Sequence, residues 1–191
     1  MKNLGHRLGA SGTYLENTIE GFHNSLDLVS DKNFKYWEFD IHESSDGILF
    51  VFHDDTITLN GEKISTARLS FREISEAGKS IGINIPKFQE VISLLRKRSE
   101  RVMIEIKNVL SDHCREEILE SVSGMDKWIL MSTPERFLIS FPDEDRDYWR
   151  ERAEDSGVRI VRVGRHRIDL FSASKSSLGW LFAKPKWFFL I

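Results

Sequence analysis

The chain has 191 residues, 40% of them hydrophobic and 30% charged, a balance that suits a single globular domain over 1–191 rather than a disordered segment. Its formal net charge of −3 argues against a nucleic-acid binder or a basic membrane-surface binder, and one cysteine, Cys114, excludes an intramolecular disulfide framework and a Cys-rich zinc site. No run of about 18 apolar residues is present, and Met1-Lys2-Asn3-Leu4-Gly5-His6 lacks the apolar stretch of a secretory signal, so a soluble cytoplasmic protein is the expectation.

A short apolar segment ends at His6, followed by Arg7 and a loop containing Gly9 and Gly12. Residues 16–29 place Ile19, Phe22, Leu26 and Val29 at helical spacing, with Asn17 and Thr18 as cap residues. Residues 36–41 read as a strand, Ser44-Ser45-Asp46-Gly47 as a turn, and 48–52 as a second strand ending at His53. Asn60-Gly61 marks a small hairpin. Pro86 suits the first position of a helix reaching about Arg98, with Phe88, Val91, Ile92 and Leu95 on one face. A strand follows over 101–107, a helix from Ser111 to near Gly124, and a strand over 128–131. Pro134 opens the next helix, Gly157 stops a later one, and 158–163 forms a strand. Helices between apolar strands imply parallel strands joined by right-handed crossovers. The stretch 172–191 is rich in apolar and aromatic residues, among them Trp180, Trp187 and Phe188. It is expected to pack on the exterior of the fold; an interfacial membrane anchor or a self-association segment are the other readings.

In Trp37-Glu38-Phe39-Asp40, strand alternation sends Glu38 and Asp40 to one face and the aromatic residues to the other. Two carboxylates on an inward face need a cation or a donor network to remain ionised, whereas on an edge strand they are ordinary surface acids. Glu105 and Lys107 likewise share one face of their strand. A third carboxylate completes an oxygen-rich set suited to Mg²⁺ or Ca²⁺, and the lysine could hold a phosphate oxygen; a half-exposed Glu–Lys pair is the plainer reading. His6 and His53 both sit where strands end, the position at which parallel α/β folds bind ligands. On the same reasoning His42 points away from Glu38 if the strand stops at Ile41, and His23, His113 and His166 carry no role. Arg159, Arg162, Arg165 and Arg167 form a basic stretch read as a solvated face.

Taken in order, His6-Arg7, Glu16-Asn17-Thr18, Glu38-Phe39-Asp40, Asp46-Gly47, His53-Asp54, Ile85-Pro86 and Glu105-Ile106-Lys107 resemble the glycerophosphodiester phosphodiesterase family over about the first 110 residues. The resemblance implies a TIM (β/α)₈-type barrel with a divalent cation, Mg²⁺ or Ca²⁺, at its carboxyl end. It implies Glu38, Asp40 and Glu105 as metal ligands and His6 and His53 as the acid/base pair. Arg7 and Lys107 then contact the phosphate, with Glu16 and Asn17 bordering the site. The implied reaction splits a small glycerophosphodiester into glycerol 3-phosphate and an alcohol. The same site could instead serve a lipid- or polymer-directed phosphodiesterase, or a non-catalytic barrel that binds phosphodiesters.

Two departures modify this expectation. Family members often carry glycine after His-Arg, where Leu8 stands here, and the segment between His53 and Pro86 is short. Only 28 residues follow Val163, whereas one further βαβ unit takes roughly 30 or more, so the barrel should be shortened or irregular in its C-terminal half.

Overall fold

A computed structural model describes residues 3–163 and 168–172. The first half comprises α1 (Ile19–Asn24), β1 (Trp37–Glu43), β2 (Leu49–Val51), β3 (Thr56–Leu59), β4 (Glu62–Ser65), α2 (Phe71–Ser80) and α3 (Phe88–Leu95). The second comprises β5 (Val102–Asn108), α4 (Asp112–Val122), β6 (Trp128–Ser132), α5 (Pro134–Ser140), α6 (Arg146–Asp155), β7 (Ile160–Val163) and β8 (Ile168–Ser172). Six strands form one sheet in the order β2-β1-β5-β6-β7-β8. The inner four, β1, β5, β6 and β7, run parallel, and an antiparallel strand lies on each edge. This is the expected α/β barrel architecture in shortened form: among the described residues the sheet does not close on itself.

Strands buried on both faces need apolar partners on at least one of them. All seven residues of β1 are buried. Trp37, Phe39 and Ile41 join a core with Phe88, Val91, Ile92 and Leu95, the apolar stripe of α3. Each such side chain removed from water contributes about 1.5–3 kcal/mol. The opposite face of β1 carries Glu38, Asp40 and His42, so the same packing that covers one side presents the acids on the other. A second core of Phe50, Ile57, Leu69, Ile74, Ala77, Ile83 and Ile85 seats the β3–β4 hairpin against α2. Its turn is Asn60-Gly61, both at positive φ (53° and 84°), as a two-residue hairpin loop of this chemistry requires.

Several elements differ from the sequence expectation. The segment ending at His6 forms turns rather than a strand, yet it still lies along β1: Glu38 N donates to Gly5 O (2.9 Å) and Leu8 N to Glu38 O (2.7 Å). The helix expected over 16–29 begins at Ile19, capped by Thr18, and after Asn24 gives way to a 3₁₀ turn at Leu26–Ser30. Asn17 stands outside it at φ 60°, a left-handed conformation incompatible with the first helical turn. Pro86 precedes α3 instead of starting it; Lys87 is the N-cap, and Pro86 O accepts from Val51 N. Helix α2 has no counterpart in the sequence expectation, although Ser70-x-x-Glu73 forms a full capping box, whereas α6 is the helix that ends before Gly157. The apolar stretch 173–191 and His166, Arg165 and Arg167 lie outside the described residues. Among the described residues no helix is long and apolar enough to cross a membrane.

Candidate metal centre

The parallel register of β1 and β5 sets Asp40 beside Glu105 and Glu38 beside Met103, so the inward acids of two strands meet across one ladder. One oxygen from each of Glu38, Asp40 and Glu105 lies within 4.8 Å of the other two. That spacing suits three ligands of one hard cation, for which metal–oxygen distances run about 2.0–2.6 Å. Glu38 and Asp40 are 3% and 1% exposed, which rules out the edge-strand alternative.

Each carboxylate is held by a distinct partner. Glu38 Oε2 accepts from the Arg7 backbone N–H at 2.8 Å and lies 3.6 Å from His6 Nε2. Glu38 Oε1 is buried with no hydrogen-bond partner, an uncommon state for a carboxylate oxygen and one that a cation would relieve. Asp40 Oδ2 accepts from Asn17 Nδ2 at 2.8 Å, and the Asp40 N–H lies 3.4 Å from Asn17 Oδ1, so the left-handed turn at Asn17 presents both ends of its amide to one residue. Lys107 Nζ lies 2.7 Å from Glu105 Oε1 and 3.1 Å from Asp40 Oδ1.

The electrostatics follow from burial. Loss of hydration, with the like charge of Asp40 added, pushes the Glu38 carboxyl well above its ordinary range. Burial works against the Lys107 charge, but Asp40 and Glu105 outweigh it and raise its pKa. A donor set of three clustered carboxylates, one with an orphaned oxygen, fits a hard divalent cation.

The flanking residues arrange themselves less uniformly. His6 stands beside Glu38, with its Nδ1 2.8 Å from Ser11 Oγ. Arg7 contributes its backbone to Glu38, while its guanidinium pairs with Glu16 at 2.7 Å. Glu16 also accepts from Gly12 N, so it fastens the loop rather than the carboxylate cluster. Leu8 occupies the position expected for glycine at φ 57°, with its side chain fully buried. The His53 imidazole is engaged through Nδ1 with Asp54 Oδ1 at 2.7 Å, and Phe52 N donates to Asp40 O at 3.1 Å.

His42 corrects a sequence expectation. Strand β1 continues to Glu43, which brings His42 onto the face of Glu38 and Asp40. It is 1% exposed, stacks on Phe50, and approaches the His53 carbonyl oxygen with Nε2 at 3.5 Å. Burial lowers its pKa to about 4 and keeps it neutral. The continuing i, i+2 alternation Glu38-Asp40-His42 was the available signal. Two other neighbours had none: Asp55 and Arg136, whose carboxylate and guanidinium meet in a two-point contact of 2.8 and 2.7 Å.

Beyond Lys107, a cleft of about 450 Å³ opens between the β5, β6 and β4 ends, lined in part by Asn108, Thr133, Thr66 and Arg136. It lies at the carboxyl ends of the parallel strands, where α/β folds of this kind place their ligands.

Comparison with known proteins bears on this arrangement. A model of the glycerophosphoryl diester phosphodiesterase family matches residues 6–161. A glycerophosphodiester phosphodiesterase of Caldanaerobacter subterraneus subsp. tengcongensis is 33% identical over 130 residues, 62% of this chain and 51% of its own length. The chain therefore spans about half the length of the curated relative it matches. Among solved structures, a glycerophosphodiester phosphodiesterase of Thermotoga maritima aligns with a TM-score of 0.51 and 23% identity, over 84% of this chain and 74% of that one. A phosphodiesterase of Oleispira antarctica, solved with the product sn-glycerol-3-phosphate, aligns with a TM-score of 0.54 and 21% identity, over 91% and 69%.

Proposed function

The chain belongs to the glycerophosphoryl diester phosphodiesterase family, and from that premise we propose that it hydrolyses glycerophosphodiesters to glycerol 3-phosphate and an alcohol. The observation that carries the reading is the convergence of Glu38, Asp40 and Glu105, with Glu38 Oε1 buried and unpartnered. A phosphodiester anion repels nucleophiles, so catalysis depends on placing positive charge where the phosphoryl oxygens gain negative charge. A Mg²⁺ or Ca²⁺ ion held by the three carboxylates would supply such charge.

The chain's own residues do the rest. Lys107 supplies a fixed positive charge beside the carboxylates, and Arg7, braced by Glu16 in the loop before α1, supplies a second. In this reading His6, 3.6 Å from Glu38, takes a proton from the attacking oxygen or gives one to the departing alkoxide, and His53 takes the complementary task. Each such transfer is typically worth about 10²–10⁴-fold. Asn17 keeps Asp40 oriented through both of its amide atoms. The product bound by the Oleispira antarctica phosphodiesterase supports the assignment of the phosphomonoester product.

Incubation with a panel of glycerophosphodiesters, followed by phosphorus NMR, tests the proposal. A new phosphomonoester resonance, absent with EDTA and in Glu38→Ala, is the expected result. An unchanged diester signal across the panel with Mg²⁺, Ca²⁺ and Mn²⁺ would overturn it.

A further inference from the structure

Between β2 and β3 the chain passes through Phe52, His53, Asp54 and Asp55, a short span tied down at each residue but one. Phe52 N donates to Asp40 O, the His53 carbonyl oxygen faces His42 Nε2, and Asp55 O accepts from Thr66 N (2.9 Å) and Thr66 Oγ1 (3.1 Å). The remaining tie comes from far along the chain. Arg136, in the first turn of α5, sets both terminal nitrogens against the two Asp55 carboxylate oxygens across 81 residues. The same Arg136 Nη1 donates to the backbone oxygen of Lys107 at 3.2 Å.

One guanidinium thus joins the loop that carries His53 to the strand that carries Glu105 and Lys107. We propose that Arg136 is a positioning residue for the reaction, holding His53 at a fixed distance from the carboxylate cluster through Asp55. The proposal rests on the hydrolytic reading above. A planar fork against a carboxylate fixes direction as well as distance, which a lysine cannot do. The pairing also holds the Asp55 carboxyl below its ordinary range, chiefly through the Arg136 hydrogen bonds, so the tie persists at neutral pH. Asp55 is 58% exposed, and an ion pair open to solvent adds little to global stability. Its loss is felt instead as freedom of the loop, and displacement of a catalytic group by about 1 Å can cost about 10²-fold in rate.

The test compares Arg136→Met, Arg136→Lys, Asp55→Asn and the exchanged pair Arg136→Asp with Asp55→Arg in the full chain. Arg136→Met and Asp55→Asn are expected to lower kcat by about 10–100-fold with KM changed less than about 3-fold. Arg136→Lys is expected to fall between them and wild type, and the exchanged pair to recover part of the loss. In a His53→Ala background, Arg136→Met should cost no more than about 2-fold, because the two act through one group. Amide exchange at residues 52–55 should accelerate in Arg136→Met while β1 and β5 keep their protection. Unchanged exchange at 52–55, or an equal kcat loss with and without His53, would overturn the proposal. If the wild type turned over no diester, the hydrolytic reading would fall, and the exchange result would still decide whether Arg136 holds the loop.

Discussion

Lys107 Nζ and Asp40 Oδ1 stand 3.1 Å apart, both almost wholly buried, with Glu105 on the other side of the ammonium. One positive charge is thereby shared between two of three clustered carboxylates, and the third, Glu38, takes its donor from the backbone of Arg7. The site therefore has more negative charge than its own side chains neutralise.

Lys107→Met removes that shared charge. Breaking a buried pair by deleting one partner costs about 3–5 kcal/mol, because the remaining charges are left uncompensated. Denaturant unfolding in EDTA should show a loss near about 3 kcal/mol, partly recovered when a divalent cation is added. A loss under about 0.5 kcal/mol would mean that solvent screens the cluster after all.

Glu38→Gln should act in the opposite sense in the absence of metal. The Glu38 carboxyl is raised well above its ordinary range by burial and by Asp40. A raised folded-state pKa gives stability that is fully present below the unfolded value and is lost as pH rises through the folded one. Once ionised the buried carboxylate is a burden, so the variant should melt at or above the wild type in EDTA, the more so as the pH rises. Cation addition should then raise the melting temperature of the wild type only; a ligand at a hundred times its Kd contributes about 2.7 kcal/mol. An equal rise in both proteins would place the cation elsewhere.

Glu43 provides a pH dependence of the other sign. It accepts from Leu110 N (2.6 Å) and Ser111 N (2.9 Å) at the start of α4. Burial would raise its pKa, but the Ser111 and Leu110 donors outweigh it and depress the value below the ordinary 4.5. A depressed folded-state pKa gives stability that is present above the unfolded value and is lost as pH falls through the folded one. Glu43→Gln should cost about 1 kcal/mol at pH 7, and the gap from wild type should close as the pH drops below about 4.5. A gap that is constant with pH would assign the loss to packing rather than charge.

Leu8 inverts a familiar order of substitutions. Its side chain is fully buried, yet its backbone is left-handed at φ 57°. Leu8→Ala loses burial and keeps the strained conformation, whereas Leu8→Gly loses the same burial and relieves about 1 kcal/mol of strain. The glycine variant should therefore unfold at a higher urea concentration than the alanine variant, although both fall below wild type. The reverse order would show that the loop relaxes out of the left-handed region when the side chain is removed.

Strand alternation puts Glu38 and Asp40 on one face of Trp37-Glu38-Phe39-Asp40, but whether that face is inward or an exposed edge is decided only by the burial of both acids. The hairpin at Asn60-Gly61 and the helix opened by Pro134 were legible because their local chemistry admits few alternatives. The segment ending at His6 forms turns rather than the expected strand, and the left-handed backbone at Arg7 and Leu8 that follows it leaves no periodic mark in the sequence. His42 joins the inward face because β1 runs two residues past Ile41, and in a strand the end decides which residues are counted on a face. Arg136 and Asp55 meet across 81 residues, and such a contact has no local signature at all.

The most direct test of the account is a crystal structure of the protein grown with Mn²⁺, examined for anomalous scattering. The account predicts one peak per chain, about 2.0–2.6 Å from an oxygen of each of Glu38, Asp40 and Glu105, with Glu38 Oε1 among the ligands. A peak coordinated by other residues, or none at saturating Mn²⁺ with Asp40 and Glu105 still closed on Lys107, would contradict it.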